Sequence, residues 1–192
     1  FIYTGDIGLD GLLIAASGGG GGCEEEPWNG YGNGQPGVSS EQGTWYDGSS
    51  YGTAGEGGSY GGGDGGGPGA GWYSDGNGAG AGAGTRWIGG DSGADGGFGG
   101  GGAGASSNGG GCGAGFSGGS SYSEKTGGGG GGSYNAGTNQ DNESGVNGGH
   151  GLVMITLIQG LIIDHISLSN SADIQGPYSI NINDGSLNTA IE

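Results

Sequence analysis

The chain has 192 residues, of which 62 are glycine and only 4 proline, and it carries a formal net charge of −17. Collagen is excluded, because a triple helix needs glycine strictly at every third position and abundant proline. Nucleic acid is excluded as a partner, since phosphates must be neutralised by lysine and arginine and the chain has 2 of these in all.

Residues 1–17, FIYTGDIGLDGLLIAAS, are apolar and predict opening β-strands, the second of them at LLIAA. Residues 18–151 form a glycine-rich region that contains neither leucine nor methionine. An α-helix is excluded there, because glycine costs about 1 kcal/mol per position relative to alanine. The region also has too few large side chains for an ordinary hydrophobic core. Its tryptophans and tyrosines are nevertheless spread along its length, whereas disordered segments are poor in aromatics, so order is expected.

Order without a core must draw on the backbone, whose buried N–H and C=O groups all need partners. An extended left-handed helix of three residues per turn makes no internal hydrogen bonds and points those groups outwards. Several such helices can bond to one another side by side only where no Cβ stands between them. The glycines therefore predict a lattice of backbones packed on backbones, with the remaining side chains on its outer face or at its turns.

Residues 152–160 open with LVMITLI, apolar throughout except for Thr156, which predicts a closing β-strand buried on both faces. The run is far too short to span a bilayer, so no transmembrane segment is expected. Residues 161–192 predict a β-strand tail. LIIDHISL contributes Leu161 and Ile163, and YSINI alternates Tyr178, Ile180 and Ile182 with polar residues. Strands without partners invite another chain, and these five apolar residues are the candidates for an assembly strand.

Cys23 and Cys112 are the only cysteines. In an acidic chain nearly free of lysine they read as one disulfide and hence an oxidising compartment; two separate thiols are the alternative. Calcium is the one metal worth weighing, because oxygen ligands are plentiful: Asp91 and Asp95 lie in GGDSGADGG, and Asp141 and Glu143 in NQDNE. A solvated acidic surface is the plainer account of both, so no cofactor is assigned. Trp28, Trp45, Trp72, Tyr73 and Trp87 are candidate surface-binding aromatics that would stack on sugars, or else clamps on the edges of the lattice. Asn142 opens the glycosylation pattern Asn142-Glu143-Ser144. His150 and His165 are the only histidines, Lys125 follows Glu124 rather than a phosphate-binding loop, and no enzyme is expected.

GGDGGGPGAGWYSDG (residues 62–76), GGFGGGGAGASSNGGGCGAGFSGG (96–119), GGGGGGSYNAGTNQ (127–140) and GVNGGHGLVMITL (145–157) resemble the glycine-rich domain of the anaplastic lymphoma kinase and leukocyte tyrosine kinase receptors and its bacterial extracellular relatives. FIYTG and LLIAASGGGGG resemble that domain's opening strands. The resemblance implies a polyglycine-II helix bundle inserted between the strands of a small β-sandwich, with all-β flanks and essentially no α-helix. DHISLSNSADIQGPYSINI (164–182) resembles part of an Ig-like module of bacterial surface proteins. Together these readings lead to a non-enzymatic extracellular or cell-surface structural protein, a filament subunit whose copies are linked by β-strand addition. The alternative is an adhesive module of a larger surface protein, taking a glycan or a cell-surface protein as its partner.

Overall fold

The computed structural model describes residues 1–4, 11–23, 32–48, 51–60, 65–78, 82–91, 95–97, 99–105, 109–122, 125–149, 152, 154, 156, 181–183 and 186–188. The chain divides into two compact units, Phe1–Leu152 and Val153–Glu192. Among the described residues there is no helix, and regular structure is confined to five short strands.

In the first unit, β1 (Ile2–Tyr3), β2 (Leu12–Ala15) and β3 (Tyr134–Asn135) form an antiparallel sheet in the order β1-β2-β3. Ile14 stands opposite Ile2 on one side and Asn135 on the other. Burial in β2 does not alternate: Leu12 and Ala15 face the core, while Leu13 and Ile14 are exposed. The buried positions are three residues apart, and that interval continues into the glycines that follow. Gly18 and Gly21 donate to the carbonyls of Ala114 and Gly111 at 2.7 and 2.8 Å.

The glycine-rich segments are joined by backbone hydrogen bonds that repeat at the same interval. Gly110, Gly113 and Phe116 donate to Thr126, Gly129 and Gly132 at 3.0, 2.9 and 2.6 Å, so these two segments run parallel. Cys112 and Gly115 donate to Gly67 and Ala70 at 3.0 and 3.4 Å, again parallel. Gly102 and Ala105 donate to Cys112 and Gly109, both at 2.9 Å, in an antiparallel sense. Successive residues of 109–116 thus address different neighbours, and every third residue returns to the same one. The approach is too close for a side chain: a Cβ on Gly128 would overlap the carbonyl of Gly111.

Where side chains do enter the interior they stand in for backbone groups or fill the junction with the sheet. Thr44 accepts the Gly130 amide at 2.7 Å through its hydroxyl. Buried Ser117 and Ser120 accept the amides of Gly55 and Ser59 at 3.0 and 2.9 Å. Leu12, Ala15, Trp72 and Phe116 form the apolar core, flanked by Tyr73, Trp87 and Tyr134. The Trp72 and Trp87 rings meet edge-on at 5.2 Å, and Phe1 lies 5.3 and 5.0 Å from them. Phe116 stacks on Tyr134 at 4.9 Å, which ties the glycine segments to β3.

In the second unit, β4 (Asn181–Asn183) and β5 (Ser186–Asn188) make an antiparallel hairpin with Ile182 opposite Leu187. Asp184-Gly185 lies between them, a dipeptide favoured in two-residue hairpin loops.

Two expectations are corrected. Cys23 and Cys112 carry separate thiols rather than a disulfide. In the antiparallel register that pairs Gly18 with Ala114 and Gly21 with Gly111, Cys112 falls opposite Gly20, three residues from Cys23. At roughly 3.1 Å per extended residue the offset is about 9 Å, beyond the ~7 Å limit between bridged Cα atoms. The thiols have other surroundings: Cys23 donates to the Lys125 carbonyl at 3.3 Å, and Cys112 is buried. The second correction concerns the closing run. Leu152 and Met154 are 83% and 86% exposed, not buried on both faces.

Candidate functional site

Two apolar surfaces distinguish this molecule, one aliphatic and one aromatic. The aliphatic surface lies on the sheet. Ile14, Tyr134 and Asn135 line a groove of about 450 Å³ whose opposite wall includes Asp141, Glu143 and Val146. Leu13, Ile14 and Val146 are all exposed. The 137–149 loop that carries this wall is pinned to β3, for Gln140 Nε2 donates to the Asn135 and Gly137 carbonyls at 2.7 and 2.8 Å. Ser144 Oγ accepts the Ser39 amide at 2.8 Å and fixes the loop's far end. On the other side of the sheet, β1 is the terminal strand and pairs with β2 alone among the described strands.

The aromatic surface gathers Trp45, Tyr46, Tyr51 and Tyr122. Trp45 meets Tyr51 edge-on at 4.4 Å, and Tyr46 stacks on Tyr122 at 5.2 Å with 20° between the planes. Trp45 bridges the two pairs, 5.8 Å from Tyr46 and 6.0 Å from Tyr122. Tyr51 and Tyr122 are 44% and 47% exposed.

The candidate aromatics therefore separate. Trp72 belongs to the core, with Tyr73 and Trp87 packed against it, and all three act as clamps. Trp45 alone of the described candidates reaches the surface cluster, and Trp28 lies outside the described residues. Tyr46, Tyr51 and Tyr122 went unremarked as site residues in the sequence. Their one signal was the close spacing of Trp45, Tyr46 and Tyr51, and nothing in the chain pointed to Tyr122.

The carboxylates do not gather: among the described residues no three of His, Cys, Asp and Glu converge on a metal position. Asp91 and Asp95 are exposed, and Asp141 and Glu143 belong to the groove wall. Asn142 is exposed on the same loop, accepting from Asn135 Nδ2 at 2.9 Å and donating to Gln140 Oε1 at 2.8 Å. Of the assembly-strand candidates, Leu161, Ile163, Tyr178 and Ile180 lie outside the described residues, as do His150 and His165. Ile182 is paired within its own hairpin. Ser117 stands in GFSGG, the spacing of a hydrolase nucleophile elbow, yet it is fully buried and its hydroxyl holds the Gly55 amide. Among the described residues no helix is long and apolar enough to cross a membrane.

No protein-family model, no curated protein and no solved structure matches the chain.

Proposed function

We propose that this chain is a non-enzymatic extracellular structural protein, a rigid polyglycine-II lattice whose copies join head to tail by β-strand addition. The three-residue hydrogen-bond register supports the lattice, since an extended left-handed helix has three residues per turn and bonds only to its neighbours. The sequence resemblance to the glycine-rich receptor domain points the same way, and it adds a β-sandwich around the lattice. Among the described residues the sheet has three strands in one layer, and the rest of the sandwich is to come from the next copy.

The observation that carries the assembly is the exposure of Leu152 and Met154. They open the most apolar run of the chain, LVMITLI, which has no charged residue. Burying each such side chain would stabilise by roughly 1.5–3 kcal/mol. The acceptor is the outer edge of β1. A strand added there continues the row Asn135, Ile14, Ile2 by one more cross-strand partner. Donor and acceptor are different surfaces of one chain, so the contact is head to tail, and each added copy offers a fresh donor and acceptor from which a filament grows. The exposed Leu152 and Met154 favour residues 152–158 as the donor, while of the tail candidates Ile182 already has a partner in its own hairpin. The extracellular setting rests on the resemblance, as no disulfide argues for an oxidising compartment.

Sedimentation velocity tests the reading. The full chain sediments faster as its concentration rises, and Leu152→Asp with Met154→Asp holds it at the monomer. A wild-type chain that remains monomeric at every concentration would overturn the proposal.

A further inference from the structure

The aromatic surface plays no part in strand addition, and its construction suits a ligand. Trp45 follows Thr44, which is locked to Gly130 through both its amide and its hydroxyl. The turn after it is closed by the Gly48 amide on the Trp45 carbonyl at 2.9 Å, and Gln35 Nε2 donates to the Tyr46 carbonyl at 3.1 Å. Tyr51 is held by its amide on Gly43 at 2.7 Å, and Tyr122 follows Ser121, whose amide donates to Ser59 at 3.2 Å. Four rings from two separate segments are thus anchored on the hydrogen-bonded interior. Little conformational freedom remains to be lost on binding.

We propose that the rings of Trp45, Tyr46, Tyr51 and Tyr122 form a binding platform for a neutral polysaccharide. The C–H faces of pyranose rings stack on aromatic faces, and tyrosine supplies both an apolar body and a hydroxyl that bonds to sugar hydroxyls. Trp45, Tyr46 and Tyr122 form a triangle with centroid separations of 5.8, 6.0 and 5.2 Å, and Tyr51 adjoins Trp45 at 4.4 Å, a compact patch on which a sugar ring can rest. Charge selects against an acidic glycan: the chain carries −17 with 2 fixed cations, and an anionic polymer is repelled.

Affinity electrophoresis of the full chain in native gels tests this, with hydroxyethyl cellulose or mixed-linkage β-glucan as neutral probes and alginate as the acidic one. The neutral gels retard the protein and alginate does not. Tyr51→Ala and Tyr122→Ala each weaken retardation at least tenfold, while melting within a few degrees of wild type because both rings stand on the rim. The proposal is overturned if neither neutral polymer retards the chain, or if the two variants are retarded as strongly as wild type. It is equally overturned if Tyr51→Ala or Tyr122→Ala changes the sedimentation of the sugar-free protein, which would make the platform a protein contact.

Discussion

A methyl group on Gly113 would overlap the carbonyl oxygen of Gly18, whose own amide donates to the neighbouring Ala114 at 2.7 Å. Gly113 is hemmed in by backbone, which cannot swing aside as a flexible side chain can. Gly113→Ala is therefore expected to destabilise the fold by about 3 kcal/mol or more, at or above the upper end of ordinary overpacking. Gly148 is the control: a Cβ there meets nothing within 4 Å, and Gly148→Ala is expected to be neutral or to stabilise by roughly 0.4–1 kcal/mol through the unfolded chain. Chemical denaturation of the two variants checks both.

Trp72 connects the sheet to the glycine segments. It is buried in the core with Leu12, Ala15 and Phe116, and its amide donates to the Phe116 carbonyl at 2.8 Å. Trp72→Ala is expected to lower stability by about 3–5 kcal/mol, the range for deleting a buried large aromatic. The change should leave glycan binding by the Trp45 platform intact in whatever fraction remains folded. Urea midpoints measured beside native-gel retardation separate the two effects.

The thiols give a prediction with a definite sign. Burial pushes the Cys112 thiol from 9.0 up to about 12, against weaker opposing hydrogen bonds from Gly129, Ser121 and Gly69. The folded state therefore keeps its proton where the unfolded state has lost it. Stability from this group is intact below pH 9, declines as pH rises above that, and is lost by about pH 12. Cys112→Ala is expected to flatten that part of the alkaline profile. Alkylation without reductant should add two labels to the unfolded chain, while native Cys112 stays unlabelled at neutral pH.

The purpose of the glycines was legible in the sequence, because the lack of Cβ atoms follows from composition alone. Which backbone lies beside which was not. Gly110, Gly113 and Gly128 are alike as letters, and the register among them is set by contacts distant along the chain. The cysteine pairing failed for the same reason, since only the register shows that Cys112 bonds to Gly67 and Gly102 and lies three residues out of step with Cys23. Trp45 and Trp72 each precede a tyrosine in glycine-rich surroundings, and nothing local says that one is half-buried in a surface cluster and the other fully buried. The hairpin of β4 and β5 went unread, although Asp184-Gly185 is a dipeptide favoured in two-residue hairpin loops. The closing run misled because apolarity predicts burial, whereas Leu152 and Met154 are exposed.

Mixing two crippled chains tests the central claim most directly. Leu152→Asp with Met154→Asp removes the donor. Tyr3→Pro removes the acceptor: the Thr4 amide is bonded inwards to Gly11, so the alternate Tyr3 amide is the one on the outer edge, and proline takes it away. Electron microscopy of wild type should show filaments, and each variant alone should show single particles. The two variants mixed in equal amounts should give particles of twice the mass and no larger, since one intact donor meets one intact acceptor. Filaments from either variant alone, or a mixture that stays monomeric beside a filamentous wild type, would contradict the account.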